Sequence, residues 1–260
     1  MDRNQYINIA QFLIDAEVGT REVTRITAEH PDLTVEESYR IQEELVGIKL
    51  GQGYRIIGPK MGLTSHAKMK QMNVEEPIYG YIFDYMVVDG NVLHLNELIH
   101  PKVEAEIAFI LGEDLEGPGV TNEQVFAATE YVVPALEIID SRYENFQFTL
   151  PDVIADNSSC SRVFIGSTMR KPEELELDLV GVTLSINGEL KDMGAGAAVL
   201  GHPAQSVAML ANMLSRRGQK LKAGQVILTG GITGALMLSL GDTVTVKWDG
   251  LGTMEFRVEE

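Results

Sequence analysis

Two glutamates stand one residue apart in a stretch that should otherwise be buried. Residues 100–110 read HPKVEAEIAFI, and Val103, Ala105, Ile107 and Phe109 alternate as the buried face of a strand. Glu104 and Glu106 must then share the opposite face, about 7 Å apart. Two ionised carboxylates that close, in a row continued by apolar Ala108 and Ile110, repel each other unless a cation neutralises them. A third acid, Glu137, interrupts the apolar run VVPALEII at 132–139, where a lone carboxylate costs several kcal/mol and is expected to be paired or to bind metal. Three carboxylates with no obvious His or Cys partner make an all-oxygen site, suited to Mg²⁺ or Mn²⁺ rather than Zn²⁺ or Cu²⁺. The same spacing also fits Glu104 and Glu106 facing solvent on a half-buried strand, with Glu137 at a strand end near water.

Two other segments carry polar groups in apolar surroundings. Lys60 lies between Gly58 and Gly62 in a stretch read here as turn-prone, a place for a lysine held over a bound ligand or for an ordinary surface lysine. Asp156, Asn157, Ser158 and Ser159 follow an apolar stretch, and a plain turn explains them equally well.

Positioning these groups needs a sheet, and the chain offers one. Short β-branched runs such as YRIIG, YMVVDGNVLHL and VEAEIAFIL follow one another from residue 54 onward, with Asn187-Gly188 and Asp249-Gly250 as turn signals. Before them, Tyr6, Ile9, Phe12, Leu13 and Ala16 recur at helical spacing up to Gly19. Thr34 with Glu37 forms a capping-box pattern, opening a helix marked by Tyr39, Gln42, Leu45 and Ile48 that stops at Gly51 and Gly53. Further helices are expected over 122–130 and 203–217, the latter with Pro203 in its first turn and His202 at its start as a capping or packing residue rather than a base. The expectation is an α+β chain, with a helical cap over 1–53 and a sheet-rich body over 54–260.

The chain has 260 residues, 45% hydrophobic, with 21 Lys and Arg against 38 Asp and Glu and a formal charge of −17. Such a surface repels phosphate backbones and anionic lipid heads, so nucleic acid and membrane are poor partners. Cys160 is the only cysteine, which excludes an intramolecular disulfide and a Cys-rich zinc site and fits a reducing compartment. No signal-peptide pattern and no run near the roughly 20 apolar residues of a membrane span is present, so a cytoplasmic location is expected. Gly194-Ala195-Gly196 is not a dinucleotide fingerprint, and neither a P-loop nor a nucleophile elbow occurs.

Taken together, GPKMGLTS at 58–65, PIYG at 77–80, HPKVEAEIAFIL at 100–111, PALEIIDSRYENF at 134–146, ADNSS at 155–159, GHP at 201–203 and ILTGGIT at 227–233 resemble the fumarylacetoacetate hydrolase superfamily. Within it they are similar to the hydratase and decarboxylase branch of aromatic meta-cleavage pathways. The resemblance implies a mixed β-roll with a small N-terminal helical region. It implies Mg²⁺ or Mn²⁺ on Glu104, Glu106 and Glu137, Lys60 and Asp156 as catalytic residues with Asp156 supporting the metal site, and Lys60, Leu63, Ser159, Val199 and Thr229 beside the substrate. The strings at 60–80, DSRYENFQF at 140–148 and 194–212 favour decarboxylation of 2-oxohex-3-enedioate (4-oxalocrotonate), a small 2-oxo dicarboxylate, to 2-hydroxypenta-2,4-dienoate and CO₂. Ala197, Ala198 and Val199 are expected to desolvate the departing carboxylate. Hydration of 2-hydroxypenta-2,4-dienoate is the alternative, and a non-catalytic partner subunit the alternative of another class. A homo-oligomer, and a complex with the pathway hydratase, are the implied assemblies.

Overall fold

The computed structural model describes residues 1–65, 69–70 and 74–260. Part of the decarboxylase-like string at 60–80 therefore lies outside the described residues. Among the described residues, no helix is long and apolar enough to cross a membrane.

Helices open the chain: α1 (Arg3–Val18), α2 (Ile26–Glu29) and α3 (Val35–Gly51). Thr34 and Glu37 form the expected capping box on α3, and Gly53, at φ +97°, follows its end. On α1 the buried residues are Ala10, Leu13, Ile14 and Ala16, whereas Phe12 is exposed. The helical cluster also takes in Tyr143 and Ala155 from the body, and buried Gln42 of α3 donates to the carbonyls of Tyr79 and Ile154 at 2.9 and 3.0 Å. The helices are thus bonded to the segments that carry the polar turn.

Two sheets form the body. The larger runs β2 (Ile78–Phe83), β1 (Ile56–Gly62), β9 (Val226–Leu228), β4 (Lys102–Leu111), β5 (Thr129–Ile139) and β6 (Cys160–Ile165), with β10 (Leu236–Met237) pairing β4. The smaller runs β3 (Val92–His94), β12 (Gly252–Glu259), β11 (Thr243–Trp248), β7 (Gly181–Ile186) and β8 (Glu189–Ala195). Helices α4 (Asn122–Ala128), α5 (Leu150–Ala155) and α6 (Pro203–Ser215) complete the chain. His202 caps α6, its Nδ1 accepting from the Ala204 amide at 3.0 Å. Asn187 and Gly188, both at positive φ, join β7 to β8 as the hairpin turn expected of that dipeptide.

Three expectations need correction. The segment around Lys60 is a strand, β1, and not a turn. Its glycines serve close approach, since a Cβ on Gly58 would collide with the Val226 backbone. The run YMVVDGNVLHL is mostly not a strand: Asp84–Met86 is a 3-10 turn, Val87 makes an isolated bridge to Val163, Gly90 takes φ +91°, and Val92–His94 is the strand within it. Helices α4 and α6 stop two residues short of their expected ends, because Thr129 and Glu130 join β5 and Arg216 and Arg217 enter a turn.

Candidate metal and substrate site

Strand alternation and sheet register together assemble the acids. On β4, Val103, Ala105, Ile107 and Phe109 fill the main core, while Ala108 on the other face joins a separate apolar cluster. The sheet is therefore covered on both sides, and Glu104 and Glu106 are buried rather than solvated, at 7% and 0% exposure. Glu104 pairs directly with Glu137 across the antiparallel β4–β5 ladder, a position that brings Cβ atoms about 5 Å apart. Glu104, Glu106 and Glu137 each offer a carboxylate oxygen, and these oxygens lie within 4.8 Å of one another.

Lys60 reaches this cluster from β1, with its Nζ 3.1 Å from Glu137 Oε2 and donating to the Ser158 carbonyl at 3.1 Å. It is 2% exposed. Glu106 Oε2 accepts from the Gly230 amide at 2.7 Å, while Glu106 Oε1 and Glu137 Oε1 are buried without a partner. Three buried carboxylates thus crowd one site, with Lys60 against Glu137. Burial, reinforced by Glu137 and Glu104, pushes the Glu106 carboxyl well above its usual range; burial and Glu104 push Glu137 up against the pull of Lys60. Burial also opposes the charge on Lys60, but Glu137 and the neighbouring acids outweigh it and hold the ammonium protonated.

Orphaned oxygens on Glu106 and Glu137, within a cluster of three buried carboxylates, are what a divalent cation would satisfy, and the donors are all oxygen. Burial, then Glu137, drives the nearby Cys160 thiol well up, so no thiolate competes and the hard-ion expectation fits. The loop after β9 closes on the acids. Gly231 has no room for a side chain, because a Cβ there would lie 2.8 Å from Glu104 Oε1.

The other expected site residues divide. Ser159 is buried with its hydroxyl unpartnered, the feature of a ligand-facing group. Leu63 takes φ +58° and is half-buried just beyond Lys60. Val199 is buried, and the amide of its neighbour Leu200 donates to the Thr64 carbonyl at 2.9 Å. The Thr229 hydroxyl is committed to the Ile107 carbonyl at 2.8 Å, which holds the Gly230–Gly231 loop against β4. Ala197 and Ala198 are exposed, so of that trio only Val199 offers a dry surface. Asp156 is not among the clustered acids; it is paired with Arg142.

Sequence reasoning missed Arg142 and the turn it supports. Asn157, Ser158 and Ser159 all have positive φ, at +48°, +53° and +56°, costing roughly 1 kcal/mol or more each for side-chain-bearing residues. Arg142, 2% exposed, holds both ends of this turn, with Nη2 on the Asp156 carbonyl at 2.6 Å and Nη1 on the Cys160 carbonyl at 3.2 Å. The Asn157 side chain accepts from the Tyr81 amide and donates to its carbonyl, each at 2.8 Å. The Ser158 carbonyl is thereby aimed at Lys60. The available signal was Asp156 itself, a buried acid in need of a base.

Known proteins resemble this chain in sequence and fold. The family described as fumarylacetoacetate (FAA) hydrolase C-terminal matches residues 50–259. A 4-oxalocrotonate decarboxylase of Pseudomonas sp. (strain CF600) is 47% identical over 99% of this chain and 98% of its own. A 2-hydroxyhexa-2,4-dienoate hydratase of Comamonas testosteroni is 39% identical, covering 100% of both chains. The solved 4-oxalocrotonate decarboxylase from Pseudomonas putida G7, complexed with magnesium and adipate, superimposes with a TM-score of 0.97 at 46% identity, over 99% of this chain and 98% of that one. With a family match over most of its length and close relatives end to end, the chain belongs to the fumarylacetoacetate hydrolase family.

Proposed function

We propose that the protein decarboxylates 2-oxohex-3-enedioate to 2-hydroxypenta-2,4-dienoate and CO₂, using Mg²⁺ or Mn²⁺ held by Glu104, Glu106 and Glu137. The observation that carries this reading is the buried acid trio in a chain 47% identical over 99% of its length to a 4-oxalocrotonate decarboxylase. A scaffold subunit has no need of such a trio, whose upkeep is costly in an apolar interior.

When bound, the ion supplies Lewis acidity toward the substrate's 2-oxo and adjacent carboxylate oxygens. Breaking the C5–C6 bond releases CO₂ and leaves a pair that forms C4=C5, moves the C3=C4 pair to C2–C3, and places charge on the ketone oxygen. Lys60, fixed by Glu137 and the Ser158 carbonyl, stabilises that oxygen and protonates it, a contribution of a few kcal/mol by analogy with oxyanion donors. Ser159 offers its free hydroxyl to the substrate, and Leu63 and Val199 exclude water beside it. Asp156 acts indirectly through the Arg142-held turn, and Thr229 through the loop that binds Glu106. In this reading the enzyme works in the cytoplasm in aromatic meta-cleavage, as a homo-oligomer able to associate with the pathway hydratase.

The hydratase reading has the 39% identical Comamonas relative in its favour. Metal-stripped protein is given Mg²⁺ and 2-oxohex-3-enedioate, and CO₂ release is followed beside hydration of 2-hydroxypenta-2,4-dienoate. Metal-dependent CO₂ release without hydration is expected. Hydration without CO₂ assigns the hydratase, and neither activity overturns both enzyme readings.

A further inference from the structure

The substrate proposed above is a dicarboxylate, and its 2-oxo end accounts for only one of the two carboxylates. Lys102 opens β4 two residues before Glu104, so the two share the strand face that carries the acids. The two lysines bracket the cluster from opposite ends. Lys60 sits against Glu137 and stands level with Ala108 through Leu228, whereas Lys102 lies beyond Glu104 at the other end of that stretch of β4. Among the described residues Lys102 has no carboxylate within ion-pair distance. Its ammonium instead lies 3.6 Å from the centroid of the Phe146 ring.

Phe146 is held there by an uncommon backbone. Asn145 and Phe146 take φ +56° and +58° in succession, and a bulky residue in that region marks a position the surroundings over-determine. The His100 ring packs on the same Phe146 ring, with centroids 5.1 Å apart. Its Nδ1 is 2.9 Å from Glu22 Oε1, while its Nε2 is buried without a partner. A half-buried ammonium and an imidazole with an orphaned nitrogen thus meet the same aromatic ring, and both are groups an anion would take.

We propose that Lys102, steadied on Phe146 and flanked by His100 Nε2, binds the distal carboxylate of the substrate at the outer end of the acid cluster, opposite Lys60. This rests on the dicarboxylate reading above. The contact exists with bound substrate and disappears as CO₂ leaves, so it selects dicarboxylates through binding and adds nothing to the chemical step. The product lacks that carboxylate and is released from the Lys102 end.

The test compares adipate with hexanoate, which has the same length and one carboxylate, by calorimetric titration into the Mg²⁺-loaded protein. Wild type is expected to prefer adipate. Lys102→Met should weaken adipate about tenfold, the scale of one charge-assisted contact, and leave hexanoate and Mg²⁺ affinity unchanged. Lys102→Arg should restore adipate, and Phe146→Leu should give an intermediate loss. In turnover, Lys102→Met should raise KM for 2-oxohex-3-enedioate with kcat equal or higher. Equal losses for both ligands, an unchanged adipate affinity, or a wild type that does not distinguish them would overturn the assignment. A wild type that discriminates the ligands but releases no CO₂ would instead strike the decarboxylase reading and leave Lys102 in place.

Discussion

Two buried ionic clusters lie on either side of the 157–159 turn and follow opposite rules. Around Arg142 the accounts balance: its Nε and main-chain amide reach the Asp156 carboxylate, and its remaining donors reach the carbonyls of Asp140, Asp156 and Cys160. Around Lys60 they do not: among the described residues, Glu106 Oε1 and Glu137 Oε1 are buried without a partner. Equal burial thus has two meanings. A satisfied cluster specifies geometry and is closed to ligands, whereas an unsatisfied one persists only because the first holds its walls and because a ligand completes it.

That contrast can be broken by substitution. The largest effect is expected from Glu106→Gln, which should lower Mg²⁺-dependent turnover at least a hundredfold and weaken Mg²⁺ binding, yet leave the metal-free protein as stable as before or more so. A metal-free Glu106→Gln protein that unfolds more easily in urea would mean the acids are structural. Arg142→Met should do the reverse, costing about 3–5 kcal/mol in urea unfolding by stranding Asp156; a loss below about 1 kcal/mol would make the two clusters equivalent. Mg²⁺ at a hundred times its Kd should stabilise wild type by about 2.7 kcal/mol, and Glu106→Gln by much less at the same concentration.

The finest discrimination is with pH. Glu106 and Glu137 have folded-state pKa values raised above the usual 4.5, so the folded metal-free protein keeps protons that the unfolded chain releases. Its stability should fall as pH rises from about 4.5 through the raised folded values. Saturating Mg²⁺ displaces those protons and should flatten or reverse the slope. Identical slopes with and without Mg²⁺ would remove the ion from the acids.

The acids were legible in the sequence because their signal is local: period-two alternation exposes Glu104 and Glu106, and an apolar run isolates Glu137. The turns at Asn187-Gly188 and the caps at Thr34 and His202 are local in the same sense. Lys60 was placed in a turn because Gly and Pro punctuate it, when in fact β9 crowds Gly58 so closely that only glycine fits. Nothing near Arg142 announces Asp156 as its partner, and nothing near Phe146 announces Lys102, since each pair is made by the way the 140–156 segment folds back and not by spacing. The apolar Ala197 and Ala198 were read as lining and lie at the surface, because hydrophobicity in a loop does not say which way the chain faces.

Lys60 and Leu228 stand in register on the parallel strands β1 and β9, although they come from nearly opposite ends of the chain. Pairing segments that far apart carries a loop-closure cost that local contacts do not. The place of the lysine beside its acids therefore depends on a strand from the last part of the chain. A cation bound there would act as a lock applied from inside a finished structure, favouring the assembled sheet by mass action.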